Sequence, residues 1–144
     1  MKIGDILSSK GGPVITIRPE QTLKAAVDLL EQHDIGGVVV LDHHNKIIGI
    51  LTERDLIRYA AGERPEFSTP VKVVMTTNVI VGSPKDDINT VAHTMTEKRF
   101  RHLPIIEGGE LIGIVTIGDI VKAQRDRYEG EIHTLHMQIT ADLE

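Results

Sequence analysis

The sequence predicts an α+β fold built from two copies of a β-α-β-β-α unit. The motif Gly-Ile-φ-Thr-x-x-Asp, in which φ is apolar, occurs twice, at residues 49–55 and 113–119. Ahead of each copy of the motif, apolar residues recur first at helical spacing and then in β-rich runs joined by short polar turns. Matching surroundings on both sides of a duplicated motif indicate an internal repeat.

Each copy has the same order of predicted elements. A short strand, at residues 14–17 or 79–81, comes before an amphipathic helix that Thr22 or Asp87 begins as N-cap. The apolar positions of the two helices match: Leu23, Ala26, Val27 and Leu30 in the first copy, and Ile88, Val91, Ala92 and Met95 in the second. A hairpin follows, predicted at residues 38–41 with 47–51 and at residues 103–106 with 111–115, and a helix closes each copy.

The repeat sets the predicted domain boundaries. The first copy spans residues 1–62 and the second spans residues 71–125. Residues 63–70 contain two prolines and are predicted to be a linker. Residues 71–75 echo residues 3–7, and each of these segments is predicted to be a short helical lead-in to its copy.

The C-terminal tail, residues 126–144, is polar but carries apolar residues at roughly helical spacing: Tyr128, Ile132, Leu135 and Ile139. This spacing predicts a final helix. A helix of this kind, polar except on one face, is expected to pack against a partner.

Composition excludes several classes of function. The net charge of −5 disfavours general attraction to nucleic acid. The absence of cysteine excludes disulfides, thiolate metal sites and thiol catalysis. No apolar run approaches the roughly 20 residues that cross a bilayer, and the first residues, which include Asp5, are unlike a signal peptide. We therefore expect a cytoplasmic protein with no membrane contact.

The Thr-x-x-Asp part of the motif, where a strand turns into a helix, has two interpretations. In the first, Thr52 and Thr116 are N-caps, and Asp55 and Asp119 favour the positive end of the helix. In the second, the same helix start binds a ligand, because its free N–H groups suit phosphate and its carboxylate can accept two hydrogen bonds from a ribose diol. The two interpretations are compatible, and duplication of the motif favours the second.

A basic cluster precedes the first hairpin strand of the second copy. Arg99, Arg101 and His102 form either a solvated loop or a phosphate-binding group, in which arginine is the bidentate partner. In the first copy, Gly36 and Gly37 stand where Arg101 and His102 stand in the second. Glycine permits close approach of a backbone or a ligand, so the two copies are not equivalent.

Neither a catalytic nor a metal-binding arrangement is evident in the sequence. The pair His43 and His44 lies in a predicted turn, and His133 and His136 have no third ligand nearby. No phosphate-binding glycine motif and no pair of nucleophile and base is present. We expect no enzyme activity, no metal and no catalytic cofactor.

Taken together, the chain resembles a pair of CBS domains, the repeat named after cystathionine β-synthase. The resemblance covers about residues 1–125 and rests on Thr-Leu-Lys-Ala-Ala, Gly-Gly-Val-Val-Val, Arg-His-Leu-Pro-Ile-Ile and the duplicated Gly-Ile-φ-Thr-x-x-Asp. It implies two units related by a pseudo-twofold axis, a Bateman module, with two clefts that bind AMP, ATP, NAD or S-adenosylmethionine. It also implies a homodimer.

The resemblance further implies that each cleft joins the Thr-x-x-Asp motif of one copy to the early strand and pre-strand loop of the other. In the first site Asp119 would hold the ribose, while Arg101 and His102 would face the phosphate. The remaining residues implied there are Thr16, Ile17, Arg18, Ile35, Gly36, Ile114, Thr116 and Gly118. The second site would use Ile50, Thr52, Arg54, Asp55, Ile80, Val81, Phe100 and Arg101. The first is favoured, because Gly118 leaves room where the other copy has Arg54.

The predicted function is that of a regulatory sensor. An adenine nucleotide or another adenosyl compound would act as effector, and a downstream protein, which the sequence does not identify, would respond. The alternative is a scaffold or interaction protein with degenerate ligand clefts. An enzyme acting on nucleotides is disfavoured, because no nucleophile is paired with a base.

Overall fold

A computed structural model describes the backbone of residues 1–143 and the side chains of residues 1–140. Helices and strands are interspersed along the chain, and the strands form two sheets. The predicted α+β class is confirmed. The elements are α1 (Ile3–Lys10), β1 (Thr16–Ile17), α2 (Leu23–His33), β2 (Gly37–Leu41), β3 (Ile47–Thr52), α3 (Glu53–Ala60), α4 (Val71–Val74), α5 (Ile88–Lys98), β4 (His102–Glu107), β5 (Glu110–Thr116) and α6 (Ile117–Leu143).

The two amphipathic helices, α2 and α5, begin at the predicted N-caps. The side chain of Thr22 accepts a backbone N–H of the first turn at 3.1 Å, and that of Asp87 accepts two, at 3.0 and 3.2 Å. The backbone N–H of Thr90 is the main reason that the pKa of Asp87 lies below its ordinary value. Both helices end at a residue in the left-handed conformation, Asp34 with φ 50° and Arg99 with φ 56°.

The sheet of the first copy has three strands in the order β1-β2-β3. β1 is parallel to β2, with Thr16 opposite Val39, and β2 is antiparallel to β3. Every residue of β2 is buried, and the apolar core of this copy lies between the sheet and helices α2 and α3.

The sheet of the second copy contains only β4 and β5. The strand predicted at residues 79–81 is wrong: no strand forms there, and the chain makes one isolated bridge just beyond, from Gly82 to Ile105. Gly82 N–H donates to the carbonyl of Pro104 at 2.8 Å, and Ile106 N–H donates to the carbonyl of Gly82 at 2.8 Å. Continuing this parallel ladder toward Ile80 requires an N–H donor at residue 104, which proline lacks.

The chain divides into two compact units, which do not coincide with the sequential copies. One unit contains Met1–Gly11, Ser83–Leu103 and Ile114–Glu144, and the other contains Gly12–Gly82 and Pro104–Gly113. Each lead-in helix therefore packs on the opposite copy: α1 contacts α6, while α4 contacts α3 and β3. The lead-in helices are exchanged between the copies.

The same backbone hydrogen bonds fix both exchanged helices. The first N–H groups of a helix have no partner within it, and here they donate to the loop that precedes the amphipathic helix of the opposite copy. The bonds are Ile3 N–H to Asp86 O (2.9 Å) and Gly4 N–H to Pro84 O (2.9 Å) in one unit, and Val71 N–H to Gln21 O (2.8 Å) and Lys72 N–H to Pro19 O (3.0 Å) in the other. Pro19 and Pro84 are the prolines that align in the repeat.

The last helix, α6, is a single helix of 27 residues. It joins the predicted closing helix of the second copy to the predicted helical tail without a break. From Arg125 to Thr140 every residue is exposed. Among the described residues, no helix combines the length and the apolar character that a membrane span requires.

Gly49 offers a test of the exchanged packing. A Cβ added there would lie 2.5 Å from Sδ of Met75 and 3.0 Å from the carbonyl oxygen of Thr76, both beyond the end of α4. Gly49→Ala should therefore lower the free energy of unfolding by about 1–3 kcal/mol, measured by urea denaturation. Gly118→Ala is the control, because its Cβ would lie 3.6 Å from the Thr116 hydroxyl, an ordinary contact. Equal stability of the two variants would contradict the close approach.

Candidate functional site

Both Thr-x-x-Asp motifs form capping boxes. At α3, Asp55 Oδ2 accepts the N–H of Thr52 at 3.0 Å, and the Thr52 hydroxyl oxygen accepts the N–H of Asp55 at 3.3 Å. At α6, Asp119 Oδ2 accepts the N–H of Thr116 at 2.9 Å, and the Thr116 hydroxyl oxygen accepts the N–H of Asp119 at 3.1 Å. The capping interpretation is confirmed at both positions. Each carboxylate is thus held at the start of its helix, where N–H groups suit an anion.

The two carboxylates differ in their third partner. Asp55 Oδ1 accepts the hydroxyl of Thr76 at 3.1 Å. Asp119 Oδ2 forms an ion pair with Nζ of Lys10 at 2.8 Å, and the same ammonium donates to the carbonyl of Ile114 at 2.9 Å. One motif therefore meets a neutral donor and the other meets a cation.

Lys10 and Thr76 were not predicted to belong to either site. Lys10 is the last residue of α1, and Thr76 lies two residues beyond α4. The relevant signal in the sequence was the echo of the two lead-in segments. That echo predicts two lead-in helices but not the copy on which each helix packs. Because the lead-in helices are exchanged, Lys10 reaches the motif of the second copy and Thr76 reaches the motif of the first.

The surroundings of Asp119 keep its carboxyl group ionised. Burial raises the pKa of this group, but the hydrogen bond and charge of Lys10, with the hydrogen bonds from Thr116, outweigh burial and bring the pKa below its ordinary value. The side chains of Asp119 and Lys10 are 25% and 33% exposed. A ligand from solution can therefore reach a carboxylate whose charge is already neutralised.

In each copy, the loop before the first hairpin strand is hydrogen-bonded to the start of the helix that carries the Thr-x-x-Asp motif. Gly36 accepts the N–H of Glu53 at 2.9 Å, and Arg101 accepts the N–H of Ile117 at 3.0 Å, through their carbonyl oxygens. At the start of α6 this brings together six of the predicted residues of the first site, with Lys10 added. They are Arg101, His102, Ile114, Thr116, Gly118 and Asp119, all in the unit that contains α1.

The other residues predicted for the first site lie in the second unit. Ile17 is only 2% exposed and packs in the apolar core. The guanidinium of Arg18 donates to the carbonyl of Asp42 and, at 3.0 Å, to Oδ1 of Asn45, so it holds the β2–β3 turn. Thr16, Ile35 and Gly36 are partly buried. Their contact with a ligand stays a prediction.

Most residues predicted for the second site share one unit. Ile50 is buried and exchanges two backbone hydrogen bonds of 2.9 Å with Thr76. Arg54 is exposed in the first turn of α3. Ile80 and Val81 are 40% and 46% exposed. Thr52 and Asp55 belong to the same unit, whereas Phe100 and Arg101 belong to the other. Among the described side chains, no group of three His, Asp or Glu residues is placed to hold a metal ion.

The fold and the duplicated motif define a tandem-repeat α+β module. The CBS domain profile matches residues 3–62 and 71–126. The chain belongs to the CBS domain family, so the resemblance inferred from the motifs is confirmed.

Relatives of known name support this assignment. The CBS domain-containing protein YhcV of Bacillus subtilis is 32% identical over 111 residues, which are 77% of this chain and 79% of YhcV. The mitochondrial CBS domain-containing protein CBSX3 of Arabidopsis thaliana is 32% identical over 95% of this chain and 71% of its own length. Inosine-5′-monophosphate dehydrogenase of Aquifex aeolicus is 33% identical, but the match covers only 26% of that enzyme.

Solved structures show the same fold. A CBS-domain containing protein from Agrobacterium tumefaciens has a TM-score of 0.81 and 40% identity, over 85% of this chain and 92% of that chain. The CBS domain pair of protein MJ0100, solved in complex with 5′-methylthioadenosine and S-adenosyl-L-methionine, has a TM-score of 0.78 and 26% identity. That match covers 88% of this chain and 98% of the other.

The Lys10–Asp119 pair can be tested by titration. Because the pKa of Asp119 is lowered in the folded chain, the pair stabilises the fold above the unfolded pKa of about 3.9, and this contribution is lost as the pH falls through the folded value. Lys10→Met should raise the pKa of Asp119, measured by carboxyl-carbon NMR. It should also lower the free energy of unfolding at pH 7 by about 1 kcal/mol or less.

The matched control is Lys24→Met, which removes an exposed ion pair to Asp28 within α2. This substitution should leave the titration of Asp119 as it is in the unchanged chain. If Lys10→Met also leaves the pKa of Asp119 unchanged, the ion pair is not what keeps this carboxyl group acidic.

Proposed function

We propose that the chain is a cytoplasmic regulatory sensor that binds an adenosyl ligand at the start of α6. The observation that carries the proposal is the ion pair there between an ionised carboxylate, Asp119, and Lys10, at a helix start to which the backbone of a second basic residue, Arg101, is hydrogen-bonded. Membership of the CBS family supports it, as does the adenosyl chemistry of the two ligands bound to the CBS pair of MJ0100.

The carboxylate of Asp119 suits a ribose diol. Both donors described above, the N–H of Thr116 and the ammonium of Lys10, reach Oδ2. A carboxylate offers about four lone-pair positions, so the group keeps capacity for two ribose hydroxyls. The capping box fixes the orientation of the carboxylate before a ligand arrives, which limits the conformational entropy lost on binding.

Lys10 gives the proposed site a means of responding to charge. Without a ligand its ammonium neutralises Asp119. A phosphate bound at the helix start offers a second anion, to which both Lys10 and Arg101 can donate charge-assisted hydrogen bonds. With Lys10 at the carboxylate and Arg101 in the loop hydrogen-bonded to the same helix start, the site should favour anionic ligands such as AMP, ATP or NAD over S-adenosylmethionine, which carries a sulfonium cation.

The start of α6 is a better candidate than the start of α3. Gly118, in the first turn of α6, has no side chain at the position where α3 carries the long side chain of Arg54, and a Cβ there would meet only the Thr116 hydroxyl, at 3.6 Å. The carboxylate of Asp55 already receives hydrogen bonds from within its own unit on both of its oxygens. We therefore propose that the start of α6 is the primary site.

Ligand binding would act by shifting populations. A ligand that prefers one arrangement of the chain, or of a homodimer, stabilises that arrangement by its difference in affinity. A downstream protein would then bind the favoured arrangement. In this proposal the ligand is an effector and is not consumed.

A scaffold role is the second candidate function, and one observation favours it. The chain itself holds two side chains predicted to contact the ligand: Ile17 in the core and Arg18 at the β2–β3 turn. A scaffold would keep the fold and bind a protein partner without an adenosyl effector. Ligand titration separates the two functions.

Thermal unfolding with a panel of ligands tests the proposed function. A ligand at 100 times its dissociation constant stabilises the folded chain by about 2.7 kcal/mol. AMP, ADP, ATP and NAD should raise the melting temperature more than S-adenosylmethionine or adenosine does at equal concentration. If none of these compounds changes the melting temperature at millimolar concentration, the scaffold role is the better account.

Asp119→Ala tests the ribose contact, with Asp55→Ala as its matched control. Both substitutions remove the carboxylate of a capping box, so both should reduce stability to a similar extent. Asp119→Ala should in addition weaken nucleotide binding by about 1–3 kcal/mol, measured by calorimetry. Equal affinity of the two variants would show that Asp119 does not contact the ligand.

A further inference from the structure

The C-terminal part of α6 carries an exposed apolar stripe. We define the stripe as Tyr128, Ile132, Leu135 and Ile139, whose exposed fractions are 65%, 68%, 58% and 53%. The intervals of four, three and four residues place all four side chains on one face of the helix. Val121, one heptad before Tyr128, is 56% exposed and extends the same face.

The opposite face is different. At 100° per residue, Met137 lies on the side of the helix opposite Tyr128. The other described side chains on that face are polar or small. Gly130 also lies there, with nothing within 4 Å of the position of a Cβ. Glycine weakens a helix, and most of the stability of a helix in a protein comes from packing of its apolar face. The stripe therefore indicates that the helix has a partner.

We propose that the partner is the same helix of a second copy of this chain, packed antiparallel. The stripe follows the alternation of d and a positions in a heptad. It is also complementary to itself when one helix is reversed: Tyr128 then faces Ile139 of the second copy, and Ile132 faces Leu135 of the second copy. Each of the four stripe residues is thus covered by a stripe residue of the second copy.

Charges around the stripe favour the antiparallel direction. Arg125 falls on the a position that precedes Tyr128, so parallel helices in register would place two arginines against each other in the apolar contact. Reversing one helix sends the two Arg125 side chains to opposite ends of the contact. It also brings Glu129 beside His136 of the second copy. In a parallel pair the acidic residue beside His136 would instead be Glu131, which already forms an ion pair with Arg127 of its own helix at 3.3 Å.

The proposed surface is independent of the ligand site. Its residues lie beyond Arg125 on α6, whereas the proposed ligand residues of this helix are Gly118 and Asp119 in its first turn. A chain that fails to bind nucleotide can still form the helix pair. A variant that does not form the pair can still be tested for its ligand affinity. The two proposals are therefore tested separately.

The first experiment compares Leu135→Asp with Met137→Asp by sedimentation equilibrium on the full chain. Both place a carboxylate on an exposed residue of the same helical turn, but only Leu135 belongs to the stripe. Leu135→Asp should produce monomers at concentrations where the unchanged chain and Met137→Asp are dimers. A monomeric unchanged chain, or a dimer that persists in Leu135→Asp, would overturn the proposal.

The second experiment determines whether the two helices are antiparallel or parallel. The chain has no cysteine of its own, so only the introduced cysteines can form disulfides. Y128C and I139C chains are mixed and oxidised, and the disulfide products are identified by intact mass. Antiparallel helices bring residue 128 of one copy to residue 139 of the other, so the mixed disulfide should predominate. The two 128 positions would then be about 16 Å apart along the helix axis, too far for a disulfide.

A predominance of disulfides between two Y128C chains would show parallel helices and contradict the proposal. M137C is the matched control, because its cysteine would lie on the opposite face. If M137C forms disulfides as readily as the Y128C and I139C mixture, the stripe is not the contact surface.

Discussion

The arrangement at the start of α6 depends on one ionised carboxylate. Asp119 closes the capping box with Thr116 and accepts the ammonium of Lys10, which also binds the carbonyl of Ile114. The end of β5, the first turn of α6 and the end of α1 therefore meet at a single charged group. Because Lys10 balances this charge, the carboxylate can stay ionised while three quarters of its side chain is withdrawn from solvent.

Exchange of the lead-in helices makes this arrangement possible and also makes the two copies unequal. The same pair of backbone hydrogen bonds docks α1 and α4 on opposite copies, so the residues beyond them reach equivalent motifs. Thr76 brings a neutral hydroxyl to Asp55, and Lys10 brings a cation to Asp119. A duplicated fold thus carries two helix starts of different electrostatics, and the proposed ligand site follows from that difference.

The parts of the fold that could be predicted depend on local signals. The caps at Thr22 and Asp87 and the hairpins were evident from residue types and periodicity within a few positions. What could not be predicted depends on distant partners: Lys10 meets Asp119 across 109 positions of sequence, and Pro104 removes the donor that a strand at residues 79–81 would need. Arg18 was assigned to a ligand on family resemblance, while the nearest acceptors its guanidinium meets are in the β2–β3 turn.

A crystal structure of the chain grown with AMP tests the central claim most directly. The account predicts that the ribose hydroxyls lie within hydrogen-bond distance of the Asp119 carboxylate, and that Nζ of Lys10 has moved toward the phosphate beside Arg101. AMP bound elsewhere on the chain, with Lys10 and Asp119 still paired as they are without it, would contradict the account.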